Sequence, residues 1–176
     1  IESQFVTSDY NSANIRMRRE TNGGCMYNLG CYTTSLIGWL LGREPDEIRA
    51  AGIFSPEGID VLTTAVFSYK DGVKAMMNCG MVLATDLDKR IDQLRIDGTE
   101  GSITSTGEFN GCGEMSYIVT RDGMAEEKTV SVPQNYSLEV AQLGRCITEG
   151  EQPHVSREFT IRNLTTVGRI LKEIGY

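Results

Sequence analysis

The residues best suited to chemistry lie in one segment, NGGCMYNLGCYTTSLIGWLLG, at residues 22–42. Asn28 and Tyr32 are four residues apart, so they would share one face of a helix. A phenol can exchange a proton with a substrate oxygen, whereas an amide can orient a hydroxyl but cannot act as a carboxylate base. Ser35 and Trp39 continue this face, which is therefore expected to be partly buried. The alternative is an amphipathic helix whose second face packs on a sheet without a chemical role.

Glycines mark both the ends and the interior of the same segment. Gly23 and Gly24 open it, and Gly42 is typical of the residue that ends a helix. Gly30 and Gly38 lie inside, where each glycine costs about 1 kcal/mol relative to alanine. Their presence predicts that another group approaches the helix backbone closely.

The rest of the sequence offers few candidates for a site. The five cysteines are odd in number and no pair has C-x-x-C spacing, which argues against a zinc site and a disulfide framework. We therefore expect no metal, and a reducing cytoplasm is the simpler location. The lone histidine, His154, lies in a loop and is expected to be solvated. The cluster of Arg16, Arg18 and Arg19 is either a solvated segment or a contact for an anion or substrate.

Composition and charge narrow the class of protein. The chain has 176 residues, 40% of them hydrophobic and 23% charged, as expected for one globular domain. Its net charge of −7 provides no basic surface for nucleic acid or an anionic membrane. The longest apolar run, at residues 36–41, is too short to span a bilayer, and the N-terminus does not resemble a signal peptide. The first residue is not methionine, so we expect a fragment of a longer protein.

Hydrophobic periodicity predicts a strand at residues 1–9, then a helix at about 24–41. A long β region follows, with a strand at 47–55, hairpin turns at Asp71-Gly72 and Asp122-Gly123, and two short strands around Gly98 and Gly101. Two helices close the chain, at 136–150 and 156–175. The apolar residues expected to be buried are Leu29, Leu36, Ile37 and Leu40 in the first helix, Leu138, Leu143 and Ile147 in the second, and Phe159, Ile161, Leu164, Val167, Ile170 and Leu171 in the third. This order predicts an α+β domain with an open, predominantly antiparallel sheet and helices on one face.

Three segments resemble the second domain of the glucose–fructose oxidoreductase and inositol dehydrogenase (Gfo/Idh/MocA) family. They are NIRMRRETNGGCMYNLGCYTTSLIGWLLGREPDEIRA at 14–50, IDGTEGSI at 96–103, and the two closing helices. The tyrosine form of the motif is most similar to the branch with glucose–fructose oxidoreductase and the dihydrodiol and aldose dehydrogenases. The resemblance spans nearly the whole chain. It implies a single substrate and oligomerisation domain, residues 1–176, of a longer two-domain enzyme whose Rossmann domain is absent here.

The resemblance also implies roles for residues of the first helix. Tyr32 would be the catalytic acid or base, and Asn28, where the family usually has aspartate, would bind substrate. We expect Arg16 to contact substrate as well. The backbone of Gly23 and Gly24 would face the cofactor, which is NAD or NADP and is held mainly by the absent Rossmann domain.

The function predicted is therefore the substrate domain of an NAD(P)-dependent oxidoreductase that acts on a sugar, a polyol or a related hydroxy or carbonyl compound. The alternatives are an NAD-using member that cleaves glycosides and a non-catalytic binding or assembly module. The isolated chain is expected to be inactive. We also expect self-association through the sheet, because residues 63–82 are apolar on both alternating sets of side chains. We assign these sets as Val66, Tyr69 and Met77 on one face and Ala65, Phe67 and Met76 on the other.

Overall fold

A computed structural model describes residues 1–8, 11, 13–82 and 90–176 of the protein. Within these residues one eight-stranded sheet forms, in the order β2-β3-β4-β1-β5-β6-β7-β8. The parallel pair is β1 with β4, and the other neighbouring strands are antiparallel. The strands are β1 (Glu2–Val6), β2 (Glu47–Phe54), β3 (Asp60–Ser68), β4 (Lys74–Gly80), β5 (Ile91–Gly98), β6 (Gly101–Ser105), β7 (Gly113–Arg121) and β8 (Met124–Val132). The predicted open, predominantly antiparallel sheet is confirmed.

Three α-helices accompany the sheet in the described residues: α1 (Cys31–Leu41), α2 (Asn135–Glu149) and α3 (Arg157–Ile174). α1 packs on β1 and β4, while α3 packs on α1 and β2. These contacts place both helices on one face of the sheet and confirm the predicted α+β class. No helix among the described residues is both long and apolar enough to cross a membrane.

The first helix begins differently from the prediction. A π-helical turn at Met26–Gly30 runs directly into α1, and residues 26–41 are called the site helix below. Two short 3₁₀ turns, Ile15–Met17 and Arg19–Thr21, precede it. A π turn holds more residues than an α turn, so side chains across it are rotated relative to an ideal α-helix.

The hairpin turns lie where the sequence places them. At the β7–β8 turn both Asp122 and Gly123 have positive φ, 52° and 75°, which is the backbone of a type I′ turn. The first strand is shorter than predicted and ends at Val6. Asp9 at its predicted end and Leu83 at the end of the β3–β4 hairpin segment lie outside the described residues.

The core lies between the covered face of the sheet and helices α1 and α3. Leu29 and Ile37 of the site helix are buried as predicted, but Leu40 is exposed and Trp39 is 71% exposed. The expected burial of the Asn28–Tyr32 face at Trp39 is therefore wrong. The reason is that sheet and α3 cover the Ile37 side of the helix, while no described element lies over Trp39.

The predicted burial on the closing helices is correct only in part. Val167, Ile170 and Leu171 of α3 are buried, whereas Ile161 and Leu164 are exposed. α2 contains no buried residue, and the side chains expected to be buried there, Leu138, Leu143 and Ile147, are exposed. Apolar periodicity indicates that a helix face is suited to burial, but it does not specify what covers the face.

The interior glycines of the site helix give two different outcomes. A Cβ at Gly30 would lie 2.6 Å from Met26 Sδ and 3.1 Å from Cys79 Sγ, so the predicted close approach is confirmed there. At Gly38 no described atom apart from its chain neighbours and the helix's own backbone lies within 4 Å of a Cβ position. The predicted close approach at Gly38 is therefore wrong, because that side of the helix faces away from the rest of the described chain.

Strand register corrects the assignment of side chains to the two faces. Val66 pairs with Met76, and Ala65 pairs with Met77; directly paired residues share a face. Ala65 and Met77 are fully buried on the covered face, while Val66 is partly exposed on the other, which is called the open face below. The expected grouping of Met77 with Val66 is wrong, because residues of the same parity pair across this hairpin, so odd-numbered Met77 shares the covered face with Ala65 and not with Val66.

Candidate functional site

A pocket of about 180 Å³ lies at the start of the site helix. It brings together four of the five predicted site residues: Arg16, Gly23, Gly24 and Asn28. The other lining residues are Ile15, Thr21, Asn22 and Tyr27. Larger cavities, of about 370 and 530 Å³, lie at the β5–β7 end of the sheet and in the loop after β6, and their linings contain none of the predicted site residues. The glycine turn is therefore the candidate site.

Backbone contacts explain why two glycines open the site helix. A Cβ at Gly23 would lie 2.5 Å from the carbonyl oxygen of Arg16 and 2.6 Å from that of Arg18. Gly24 has a φ of +112°, and a Cβ there would collide with the Asp60 carboxyl. The Gly23 amide donates to the carbonyl of Arg18, and the Gly24 amide donates to the carbonyl of Arg16, each at 2.8 Å. These bonds fix the arginine segment to the start of the helix.

A buried carboxyl lies beside this turn and was not identified from the sequence. Asp60, the first residue of β3, is fully buried. Its Oδ2 accepts hydrogen bonds from the Met26 amide at 2.8 Å, the Thr63 hydroxyl at 2.9 Å and the Cys25 thiol at 3.0 Å. Burial raises the pKa of Asp60 despite these three donors, each of which favours the ionised form. In the sequence, only the lack of a capping side chain at residues 23–25 indicated that an acceptor from elsewhere in the chain was needed.

Asn28 and Arg16 have side chains available to a ligand. Asn28 is half-buried, and among the described residues its amide group donates only a weak bond to Met81 Sδ, at 3.6 Å. The guanidinium of Arg16 is exposed and makes no ion pair or hydrogen bond with the described chain. No carboxylate lines the pocket. A hydroxyl-rich or anionic small molecule would therefore meet donors without repulsion.

Tyr32 lies outside the lining of this pocket. Its ring packs edge-on against Phe5, with the centroids 5.5 Å apart, and Phe5 in turn stacks on Phe109 at 5.2 Å. The side chain is 37% exposed, and its hydroxyl has no hydrogen-bond partner among the described residues. The Asn28 and Tyr32 side chains therefore have different neighbours, Met81 for Asn28 and Phe5 for Tyr32. The structure thus places Tyr32 beside Phe5 and outside the lining of the pocket.

Tyr27 is a pocket residue that sequence reasoning missed. Its ring packs edge-on against Tyr176, with the centroids 6.1 Å apart, and the Tyr176 hydroxyl donates to the Gly23 carbonyl at 2.7 Å. The Arg19 guanidinium lies 4.8 Å from the centre of the Tyr176 ring and donates to the Gly58 carbonyl. In an ideal α-helix Tyr27 lies about 100° from Asn28, and this spacing gave no reason to group them.

The pocket sets limits on the ligand. Drug-sized ligands usually occupy pockets of roughly 300 to 1,000 Å³, so this pocket holds only part of a dinucleotide or substrate. Among the described residues, no group of three or more His, Cys, Asp or Glu side chains is arranged to hold a metal ion.

Comparison with known proteins gives consistent relatives. A sequence model of the GFO/IDH/MocA C-terminal domain matches residues 1–104. The D-xylose 1-dehydrogenase (NADP(+)) 2 of Haloferax volcanii is 26% identical over 162 residues, covering 89% of this chain and 47% of that protein. The chain spans about half the length of the curated relative it matches.

Solved structures show the same fold. The 3-ketoreductase KijD10 of Actinomadura kijaniata, solved with NADP and TDP-benzene, superposes with a TM-score of 0.88 at 18% identity, over 98% of this chain and 52% of that one. The UDP-N-acetylglucosamine 3-dehydrogenase GnnA of Acidithiobacillus ferrooxidans superposes with a TM-score of 0.74 at 14% identity, with the same coverage of both chains.

Proposed function

Since the chain belongs to the Gfo/Idh/MocA family, as a C-terminal domain, we propose that it binds the substrate of an NAD(P)-dependent oxidoreductase. The substrate class proposed is a sugar, a polyol or a related hydroxy or carbonyl compound. One observation carries the proposal: the pocket at the start of the site helix gathers Arg16, Asn28 and the Gly23–Gly24 turn. The relatives support it, since one is named as an NADP-dependent xylose dehydrogenase and another was solved with NADP.

We propose that the cofactor is held mainly by a Rossmann domain outside residues 1–176. The relatives are about twice as long as this chain, and the pocket is smaller than a dinucleotide requires. Residues 1–176 alone are expected to be inactive and to bind NADP(H) more weakly than micromolar. Calorimetric titration of the chain with NADPH tests this, and micromolar affinity would contradict it. The cytoplasmic location remains a prediction.

In the proposed chemistry Tyr32 transfers the proton and Asn28 orients the substrate. When bound, the nicotinamide supplies or accepts the hydride at the substrate carbon. In the reductive direction the Tyr32 hydroxyl gives its proton to the substrate oxygen, and in the oxidative direction it accepts that proton. Asn28 holds a neighbouring hydroxyl, and Arg16 binds a polar or anionic part of the substrate. The substrate would extend from the pocket toward Phe5 to reach Tyr32.

Asn28→Ala in the full-length enzyme tests the substrate-binding role. The change removes an orienting hydrogen bond, which contributes about 0.5–1.5 kcal/mol and hence up to about tenfold in KM. We expect KM for the sugar to rise in this range with a smaller change in kcat. The matched control is Asn110→Ala in the loop after β6, outside the pocket, which should leave KM unchanged. Equal KM values in both variants would contradict the role of Asn28.

We also propose self-association through the open face of the sheet. Strand register places several exposed or half-exposed apolar side chains there, among them Ile53, Val66, Met76, Ile91 and Ile118. Val66→Lys should weaken the assembly measured by light scattering. Val130→Lys is the control, because Val130 is equally exposed but lies on the opposite face. A wild-type monomer at high micromolar concentration would refute the proposal.

A further inference from the structure

The site helix has no capping side chain of its own. The first amides of a helix need acceptors from outside the helix, usually a Ser, Thr, Asp or Asn side chain just before the first turn. Here the chain has Gly23, Gly24 and Cys25 at those positions, and no side-chain cap forms at Cys25. A local capping side chain would project beside the glycine turn, which lines the pocket.

Asp60 supplies the acceptor from the neighbouring strand. Its Oδ2 accepts from the amide of Met26, the first residue of the π turn, and also from Thr63 and Cys25. Its Oδ1 is fully buried, has no hydrogen-bond partner among the described residues and lies against Gly24. The carboxyl itself does not line the pocket. It therefore caps the helix while leaving the pocket side of the glycine turn free of side chains.

The contacts continue from Asp60 to the pocket. Gly24 is held between the Asp60 carboxyl and the carbonyl of Arg16, to which its amide donates. The Gly24 carbonyl oxygen then accepts a hydrogen bond from the backbone N–H of Asn28 at 3.2 Å. The backbone position of Asn28 thus depends on Gly24 and on Met26, and Asp60 contacts both.

We propose that Asp60 is a positioning residue of the site, which fixes the first turn of the site helix and thereby sets the place of Asn28 in the pocket. The kinetic consequence rests on the proposed function, whereas the conformational consequence does not. An asparagine at position 60 keeps the shape and one acceptor oxygen, but it is uncharged and has an NH₂ group in place of the other oxygen. Three donors converge on Oδ2, so the amide must turn its NH₂ either toward them or toward the unpartnered side by Gly24.

Asp60→Asn in the full-length protein tests the proposal, with Asp92→Asn as a matched control. Asp92 is also buried, but it pairs with Arg90 and accepts from the Phe109 amide in the loop after β6. Hydrogen exchange is measured on residues 23–30 and on residues 105–112. We expect Asp60→Asn to speed exchange of residues 23–30 by about tenfold or more while sparing residues 105–112, because a bond to a carboxylate is lost. Asp92→Asn should speed exchange of residues 105–112 and spare residues 23–30. Equal effects of both variants on the two segments would overturn the proposal.

Kinetics supply the readout that a purely structural role would not change. Asp60→Asn should raise KM for the sugar as Asn28→Ala does, with cofactor affinity unchanged, and the two changes together should not add. Additive effects would show that Asp60 does not act through Asn28. If the wild-type enzyme turns over no sugar, the proposed function fails while hydrogen exchange still decides the positioning. If Asp60→Asn does not fold, Thr63→Val removes one donor to the same oxygen and should speed exchange of residues 23–30 to a smaller extent.

Discussion

Replacing Tyr32 by phenylalanine separates a catalytic role from a packing role. The ring packs edge-on against Phe5, and phenylalanine keeps that contact. The hydroxyl has no hydrogen-bond partner among the described residues, so its removal sacrifices no bond within the described chain. We therefore expect the free energy of unfolding to change by less than about 0.5 kcal/mol. A tyrosine hydroxyl bonded inside a core would instead cost roughly 1 kcal/mol.

The expected kinetic effect is much larger. A general acid or base contributes about 10²–10⁴-fold to the rate, which corresponds to roughly 3–5 kcal/mol of transition-state stabilisation. Tyr32→Phe should therefore lower kcat within this range and leave the affinity for NADP(H) unchanged. The assay follows the absorbance of the reduced cofactor in the full-length enzyme, and the melting temperature is measured on the same preparation.

Tyr27→Phe is the matched control, since Tyr27 lies on the same site helix and lines the pocket. It should change KM more than kcat if Tyr32 is the proton donor. A Tyr32→Phe enzyme with a kcat within about twofold of wild type would refute the acid–base assignment, because that role requires about 10²-fold or more. A large loss of kcat in Tyr27→Phe alone would transfer the role to Tyr27.

Three further predictions concern glycine packing, cysteine exposure and the pH dependence of stability. Gly38→Ala should stabilise the protein by about 1 kcal/mol, because the space beside Gly38 is open. Gly24→Ala should destabilise it by about 1–3 kcal/mol, because φ is +112° and the new Cβ would meet the Asp60 carboxyl. Denaturant unfolding measures both changes. Iodoacetamide should modify the exposed Cys112 in the native protein and spare Cys25, because burial raises the pKa of the Cys25 thiol and covers it; mass spectrometry of the modified peptides checks this. Burial raises the pKa of Asp60 in the folded protein above its value in the unfolded chain. The stability that the protonated carboxyl contributes is therefore fully present below the unfolded-state pKa of about 3.9. It is lost as pH rises through the folded-state pKa. The melting temperature of Asp60→Asn relative to wild type should therefore rise with pH over that window, and an opposite slope would contradict the direction of the shift.

Local rules explain the parts of the fold that could be predicted. The Asp122-Gly123 turn requires positive φ at two successive residues, and Asp-Gly is a favoured pair for that geometry. The end of the site helix at Gly42, in the left-handed region with φ 68°, follows from a similar local preference. The α+β class followed from the order of these elements along the chain.

Long-range contacts explain what could not be predicted. β1 lies between β4 and β5, and no nearby residue specifies that insertion. The exposure of α2 depends on what covers it, which periodicity does not report. At the site, Arg16, Gly23, Gly24 and Asn28 were identified and do meet, but Tyr27 also lines the pocket and Tyr32 does not. Asp60 was missed because its bond to Met26 joins residues 34 positions apart.

The most direct test of the proposed function is a turnover measurement on the full-length protein with NADP(H). Aldoses, polyols and keto sugars are offered in turn, and the absorbance of the reduced cofactor is followed for wild type and Asn28→Ala. We predict saturable turnover of at least one of these compounds, with a higher KM in Asn28→Ala. A folded full-length protein that binds no NADP(H) and turns over none of the compounds would contradict the account.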